Sequence, residues 1–147
     1  MAKRIRLRYG DVVAEGVLYE DRAPRTVAAL WATLPFRDRA ITGKWSGPLW
    51  RTEGDHDLVG PATEDPAGML EAGDLFYGSY DPKTGAATQC RIGLAYGKGR
   101  TMDPFSVPGV STVIGRIDQN LEALVKACDR IIYDGPQEIE LSPIDER

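Results

Sequence analysis

Gln89 and Arg91 are the side chains of this chain best placed to do chemistry together. They stand two residues apart in the stretch 88–97, TQCRIGLAYG. The period-two alternation of a strand puts Gln89, Arg91, Gly93 and Ala95 on one face and Cys90, Ile92, Leu94 and Tyr96 on the other. The second face is apolar and reads as core. On the first, a guanidinium and a carboxamide lie beside two very small residues, leaving space for a ligand or another chain. The lone His56, between Asp55 and Asp57, is the other candidate, as a metal ligand or a base. Nothing supplies it with a second histidine or a metal-ligand spacing, so it reads as a solvated loop histidine. A single His also limits Ser-His or Cys-His catalysis, and neither a Gly-x-Ser-x-Gly elbow nor a dinucleotide fingerprint after a strand is present. The sequence therefore predicts no metal and no cofactor.

Such a face needs a sheet to hold it, and the chain reads as mostly strands. Ile5, Leu7 and Tyr9 alternate with Arg4, Arg6 and Arg8, which gives a half-buried strand with a basic outer face. Gly10-Asp11 then suits a two-residue II′ turn into VVAEGVLYE. Pro24 opens a helix, with Val27, Leu30, Trp31 and Leu34 at helical spacing, Trp31 as core, and Pro35 as its end. Two short strands follow in 37–52, then a mostly irregular segment, 53–73. Strands are predicted over 74–80 and 110–117, either side of the 88–97 strand. Asp118 is expected to cap a second helix carrying Leu121, Leu124, Val125 and Cys128, before two last strands at 130–133 and 138–141. Strands thus outnumber helices about eight to two, with no regular βαβ alternation. A closed antiparallel barrel with a helix over each end satisfies both apolar helix faces and removes exposed edges.

Composition narrows the function classes. With 147 residues, 42% hydrophobic and 27% charged, the chain suits one domain over 1–147. Its net charge of -4 argues against a nucleic-acid or anionic-membrane surface covering the whole protein. The basic start MAKRIRLRYG is not a signal peptide, and no apolar run is long enough to span a bilayer, so the expected location is cytoplasmic. Cys90 and Cys128 are too few for a disulfide framework and read as buried free thiols.

Several short stretches, in order along the chain, resemble the cyclophilins. Ala23-Pro24-Arg25-Thr26-Val27 resembles the opening of their first helix. Pro82, Thr84, Thr88, Gln89 and Ile92 resemble a turn and a Ser-Gln-Phe-Phe-Ile strand, and 113–117 (VIGRI) resembles a Val-Phe-Gly-Lys-Val strand. The nearest likeness is to an uncharacterised microbial branch with a cyclophilin-like fold. The resemblance implies a mainly β fold, a closed eight-stranded antiparallel cyclophilin-like barrel with two capping helices. It also implies a peptidyl-prolyl isomerase mechanism, in which an arginine favours the twisted amide beside an apolar proline pocket. The family's arginine falls on Arg51, the catalytic candidate. Its second pocket Phe falls on Arg91 and its pocket His on Ser111. A guanidinium in place of an aromatic wall makes that pocket cationic, and proline has no group to pair with the charge.

These substitutions redirect the expected function. Arg51, Gln89 and Arg91, with Ser111 across the groove and Tyr77 or Phe105 covering its apolar part, would receive a small, carboxylate-bearing anion. In a competing reading, Arg91 pairs with an acidic residue of 53–73 and fills the groove itself. Weak prolyl isomerase activity on a short peptide is the alternative function. A non-catalytic interaction barrel, possibly homo-oligomeric, is the second alternative.

Overall fold

Alternating burial gives the first two strands and the last an inner and an outer face. The central strands are buried on both faces over much of their length, and hydrogen bonding joins them all into a ring. The computed structural model describes residues 3–43, 46–58, 63–102 and 108–144. Along the chain run β1 (Arg4–Tyr9), β2 (Val12–Leu18), α1 (Pro24–Thr33), β3 (Phe36–Thr42), β4 (Leu49–Thr52) and β5 (Pro66–Ala67). They are followed by β6 (Asp74–Tyr80), β7 (Ala87–Ala95), β8 (Val110–Gln119), α2 (Leu121–Cys128), α3 (Ile131–Asp134) and β9 (Gln137–Pro143). All pairings are antiparallel, in the order β2-β1-β9-β3-β4-β7-β6-β8, and β8 returns to β2 to close an eight-stranded barrel. The two-residue β5 adds to β8 outside the ring. The first hairpin turns on Gly10-Asp11, with Gly10 at φ +55°.

The core fills the barrel interior. Leu7, Trp50, Leu75, Tyr77, Ile92, Leu94, Ile114 and Ile117 belong to one buried cluster, which also takes Val27 and Leu30 of α1 and Leu124 and Cys128 of α2. At about 25 cal/mol for each Å² of apolar surface removed from water, such side chains supply most of the driving force for closure. Tyr9 stacks on Trp50 with ring centroids 5.9 Å apart, and Trp50 Nε1 donates to Cys128 Sγ at 3.2 Å. Both cysteines are free; Cys128 is buried and Cys90 half-buried.

α1 begins at Pro24 as expected, but its N-cap residue, Ala23, offers no side-chain acceptor. Glu64 takes that role from 38 residues away in sequence: its Oε1 accepts Thr26 N at 2.8 Å and Thr26 Oγ1 at 2.7 Å. Its Oε2 accepts Arg25 N at 3.2 Å. The unpaired donors of the first helical turn are thereby met. Burial opposes ionisation of Glu64, but these donors and the Arg25 charge outweigh it and hold the carboxyl below its ordinary value.

Several sequence expectations are corrected. Trp31 is only partly buried, packing against the core under Lys3 Nζ, which lies 5.5 Å from the ring centroid. Asp118 is not a helix cap. It remains in β8 and accepts two bonds from Arg4, at 3.0 and 2.7 Å, while Asn120 in left-handed conformation begins α2. The expected strand at 130–133 is instead α3. Only Ile131 reaches the core, Ile132 and Tyr133 are exposed, and a one-sided single contact needs no strand. The outer arginine row is neutralised by acidic neighbours. Arg4 binds Asp118, Arg6 meets Glu15 at 3.6 Å, and Arg8 stands opposite Glu140 in register.

Candidate functional site

The 88–97 stretch carries most of β7, which ends at Ala95, two residues short of the expected strand, and its two faces are separated as the alternation requires. Ile92, Leu94 and Tyr96 enter the core, with Cys90 packed against it. Gln89, Arg91, Gly93 and Ala95 face the outside of the barrel. The space beside the small residues is not open, however. Phe76 of β6 lies opposite Gly93, and a Cβ added there would stand 2.3 Å from Phe76 Cζ and 2.5 Å from Trp50 O. Gly93 is thus the residue that lets Phe76 lie flat on the sheet. Ala95 is buried in a second apolar cluster with Leu49, Leu70, Phe76 and Val113.

Arg51 pairs in register with Gly93 from β4, so Arg51 and Arg91 share the outer face two residues out of step. Both line one small cavity of about 10 Å³, together with Gln89, Phe76, Ser79 and Thr101. That volume holds roughly one water-sized group. Burial, followed by the neighbouring Arg91 charge, pushes the Arg51 guanidinium below its ordinary value, while Asp55 works in the opposite sense. Arg91 Nη1 donates to Thr52 O at 3.1 Å, and Arg91 Nε lies 3.4 Å from Asp55 Oδ1. The acidic partner from the 53–73 segment is therefore real. It is 70% exposed, so it lies in solvent beside the cavity.

Of the other expected site residues, Ser111 is buried and shares a 2.9 Å hydrogen bond with Thr101, which places it one hydroxyl behind the cavity wall. Tyr77 is on the wrong face. It is buried inside the barrel, its Oη accepts Leu58 N at 3.1 Å, and burial raises its phenol far above the ordinary value. Strand parity explains this: Leu75 and Tyr77 point inward together, so Phe76 is the aromatic that reaches the arginines. Phe105 lies outside the described residues.

His56 is not a solvated loop residue. Its Nε2 meets Asp38 Oδ2 at 2.7 Å, its ring packs on Phe36 with centroids 4.7 Å apart, and its backbone N donates to Cys90 O at 2.7 Å. Burial works against the Asp38 charge, but the His56 ring and the Arg39 and Gly54 N–H groups hold its carboxyl below the ordinary value. The flanking carboxylates Asp55 and Asp57 are not its partners. Among the described residues, no group of three or more His, Cys, Asp or Glu side chains is arranged to hold a metal.

A larger groove of about 460 Å³ lies on β1, β9 and β3. Its arginines face carboxylates across the sheet: Glu140 stands in register between Arg8 and Arg37, and Arg37 Nε donates to Glu140 at 2.8 Å. This is an ion-pair ladder matched within itself. Among the described residues no helix is long and apolar enough to cross a membrane.

Comparison with known proteins supports the fold. No curated protein sequence matches the chain. Among solved structures, McbB in complex with tryptophan superposes with a TM-score of 0.69 at 16% identity, over 97% of this chain and 45% of that one. This chain therefore spans less than half of McbB. The hypothetical protein AF2241 from Archaeoglobus fulgidus, known from a solution structure, superposes with a TM-score of 0.58 at 21% identity, over 97% of this chain and 95% of that one. A family model described as a protein of unknown function, DUF3830, matches residues 5–143, and the chain belongs to that family.

Proposed function

We propose that this barrel binds a small carboxylate-bearing molecule at the outer-face cavity lined by Arg51, Gln89 and Arg91. One observation carries the reading: two guanidiniums line one cavity, and one of them is held below its ordinary value by burial and by the other's charge. An incoming anion relieves that repulsion and gains charge-assisted, planar hydrogen bonds. The cavity size sets the mode of binding. A space of about 10 Å³ takes a carboxylate oxygen, with the rest of the ligand outside it. McbB was solved with tryptophan, itself a carboxylate, but at 16% identity that likeness bears on fold alone. The reading rests on the arginines.

A cyclophilin-like identity for the barrel belongs to the same proposal. Its support is the closed eight-stranded ring and the Pro24 helix start. Prolyl isomerase activity is the second reading, favoured by Arg51 at the position of the family's arginine. Two features weigh against it. The cavity is too small for a pyrrolidine ring, and the Arg91 charge adjoins the place where an apolar wall is needed.

The test is a thermal-shift screen of wild type and Arg91→Ala against acetate, propionate, benzoate, phosphate and an X-Pro peptide. A ligand at a hundred times its dissociation constant adds about 2.7 kcal/mol, or roughly 5–10 °C for a chain of this size. A carboxylate shift that vanishes in Arg91→Ala supports the proposal. Turnover of the X-Pro peptide without any carboxylate shift would replace it with the isomerase reading.

A further inference from the structure

The cation pair has an anion built beside it. Asp55 Oδ1 lies 3.4 Å from Arg91 Nε, and the Asp55 charge is also felt at Arg51. Arg91 is not what holds this carboxylate in place. Glu53 N donates to Arg39 O at 2.8 Å and Gly54 N to Asp38 Oδ2 at 3.3 Å. On the other side, His56 N donates to Cys90 O at 2.7 Å, and the His56 ring meets Asp38 at 2.7 Å. Asp55 thus stands between residues pinned to β3 and β7, ordered before any ligand arrives. At 70% exposure it faces solvent, where a ligand's outer part would lie.

We infer that Asp55 makes this site selective for α-amino carboxylates over the corresponding plain carboxylates, an inference that rests on the carboxylate-binding reading above. In an α-amino acid the nitrogen is about 2.5 Å from the carboxyl carbon. The protein offers opposite charges in matching alternation, a guanidinium and a carboxylate 3.4 Å apart. When the ligand's carboxylate rests on Arg51 and Arg91, its ammonium comes within reach of Asp55. A plain carboxylate brings a second negative charge near Asp55 without the ammonium that would offset their repulsion, which is selection by repulsion as well as by attraction. Because the cavity takes only a carboxylate oxygen, the amino group stays at its mouth beside Asp55, and the ligand's side chain, further out, is left largely unread.

The experiment is an NMR titration of wild type, Asp55→Asn, Asp55→Ala and Arg91→Ala with L-phenylalanine and with its desamino analogue, 3-phenylpropionate. Wild type should prefer L-phenylalanine. Both Asp55 variants should weaken L-phenylalanine about two- to fivefold and tighten 3-phenylpropionate by a similar factor, the range expected for one exposed charge pair. Arg91→Ala should lose both ligands. Equal wild-type affinities, or Asp55 variants that move both ligands in the same direction or not at all, overturn the role of Asp55 and leave the carboxylate reading standing. If neither ligand saturates wild type, the carboxylate reading fails and this inference falls with it.

Discussion

Replacing Glu64 with alanine should destabilise the barrel by about 2 kcal/mol, because one side chain supplies what the first turn of α1 lacks. The variant leaves the Thr26 N–H and hydroxyl, now bound at 2.8 and 2.7 Å, without their acceptor in a partly buried place. A lost helix cap costs about 0.5–2 kcal/mol, and a hydrogen bond to a charged group is worth about 1.5–3 kcal/mol. The Arg25 N–H is more exposed and recovers water, which keeps the sum near the lower end. For a chain of this length, about 2 kcal/mol corresponds to roughly 4–8 °C in thermal midpoint. Acidity supplies a second signature. The folded Glu64 carboxyl lies below its ordinary value, so its contribution is complete above the unfolded carboxyl value and is lost as pH falls through the folded one. The gap between wild type and Glu64→Ala, followed by circular dichroism melts from neutral pH downward, should therefore close in acid. Glu64→Gln, which keeps one acceptor and no charge, should fall between the two at neutral pH. A midpoint within about 1 °C of wild type, or a gap that persists unchanged in acid, would refute the capping argument.

Three further outcomes follow from the same geometry. Gly93→Ala should lower stability by about 1–3 kcal/mol in urea melts, since its Cβ would meet Phe76 and the Trp50 carbonyl; an unchanged midpoint would mean that Phe76 does not lie on β7. Cys128 should resist a thiol reagent in the folded protein and react on unfolding, because burial pushes its thiol up to about 12; rapid labelling of two thiols under native conditions would contradict this. Asp38→Ala should cost about 1–3 kcal/mol by releasing His56 and Gly54, and its gap from wild type should also narrow in acid, because Asp38 is held below its ordinary value.

Much of the barrel was legible from local pattern alone. β1, β6 and the Pro24 helix start stand where alternation and proline placement put them, because each is set by residues close in sequence. α3 was not legible: Ile131, Ile132 and Tyr133 have strand-forming side chains, and only the tertiary position of Ile131 decides that one buried contact suffices. The cap on α1 was hidden for a related reason, since Glu64 lies far away in sequence among loop carboxylates that look alike. At the candidate site, the outer face of β7 was legible and its occupancy was not. A small residue such as Gly93 signals close approach, but the sequence does not say whether a ligand or Phe76 approaches. Tyr77 was expected at the groove together with Phe105; that Tyr77 points inward is set by the parity of β6, which only its pairing with β7 and β8 reveals.

The most direct test of the carboxylate site is to follow the arginine Nε–H resonances by NMR while propionate is added to the wild-type protein. The account predicts that Arg51 and Arg91 shift together and saturate, while Arg8 and Arg37 in the larger groove stay still. Saturable shifts at Arg8 and Arg37 with none at Arg51 or Arg91 would contradict it, as would no saturable shift at any arginine.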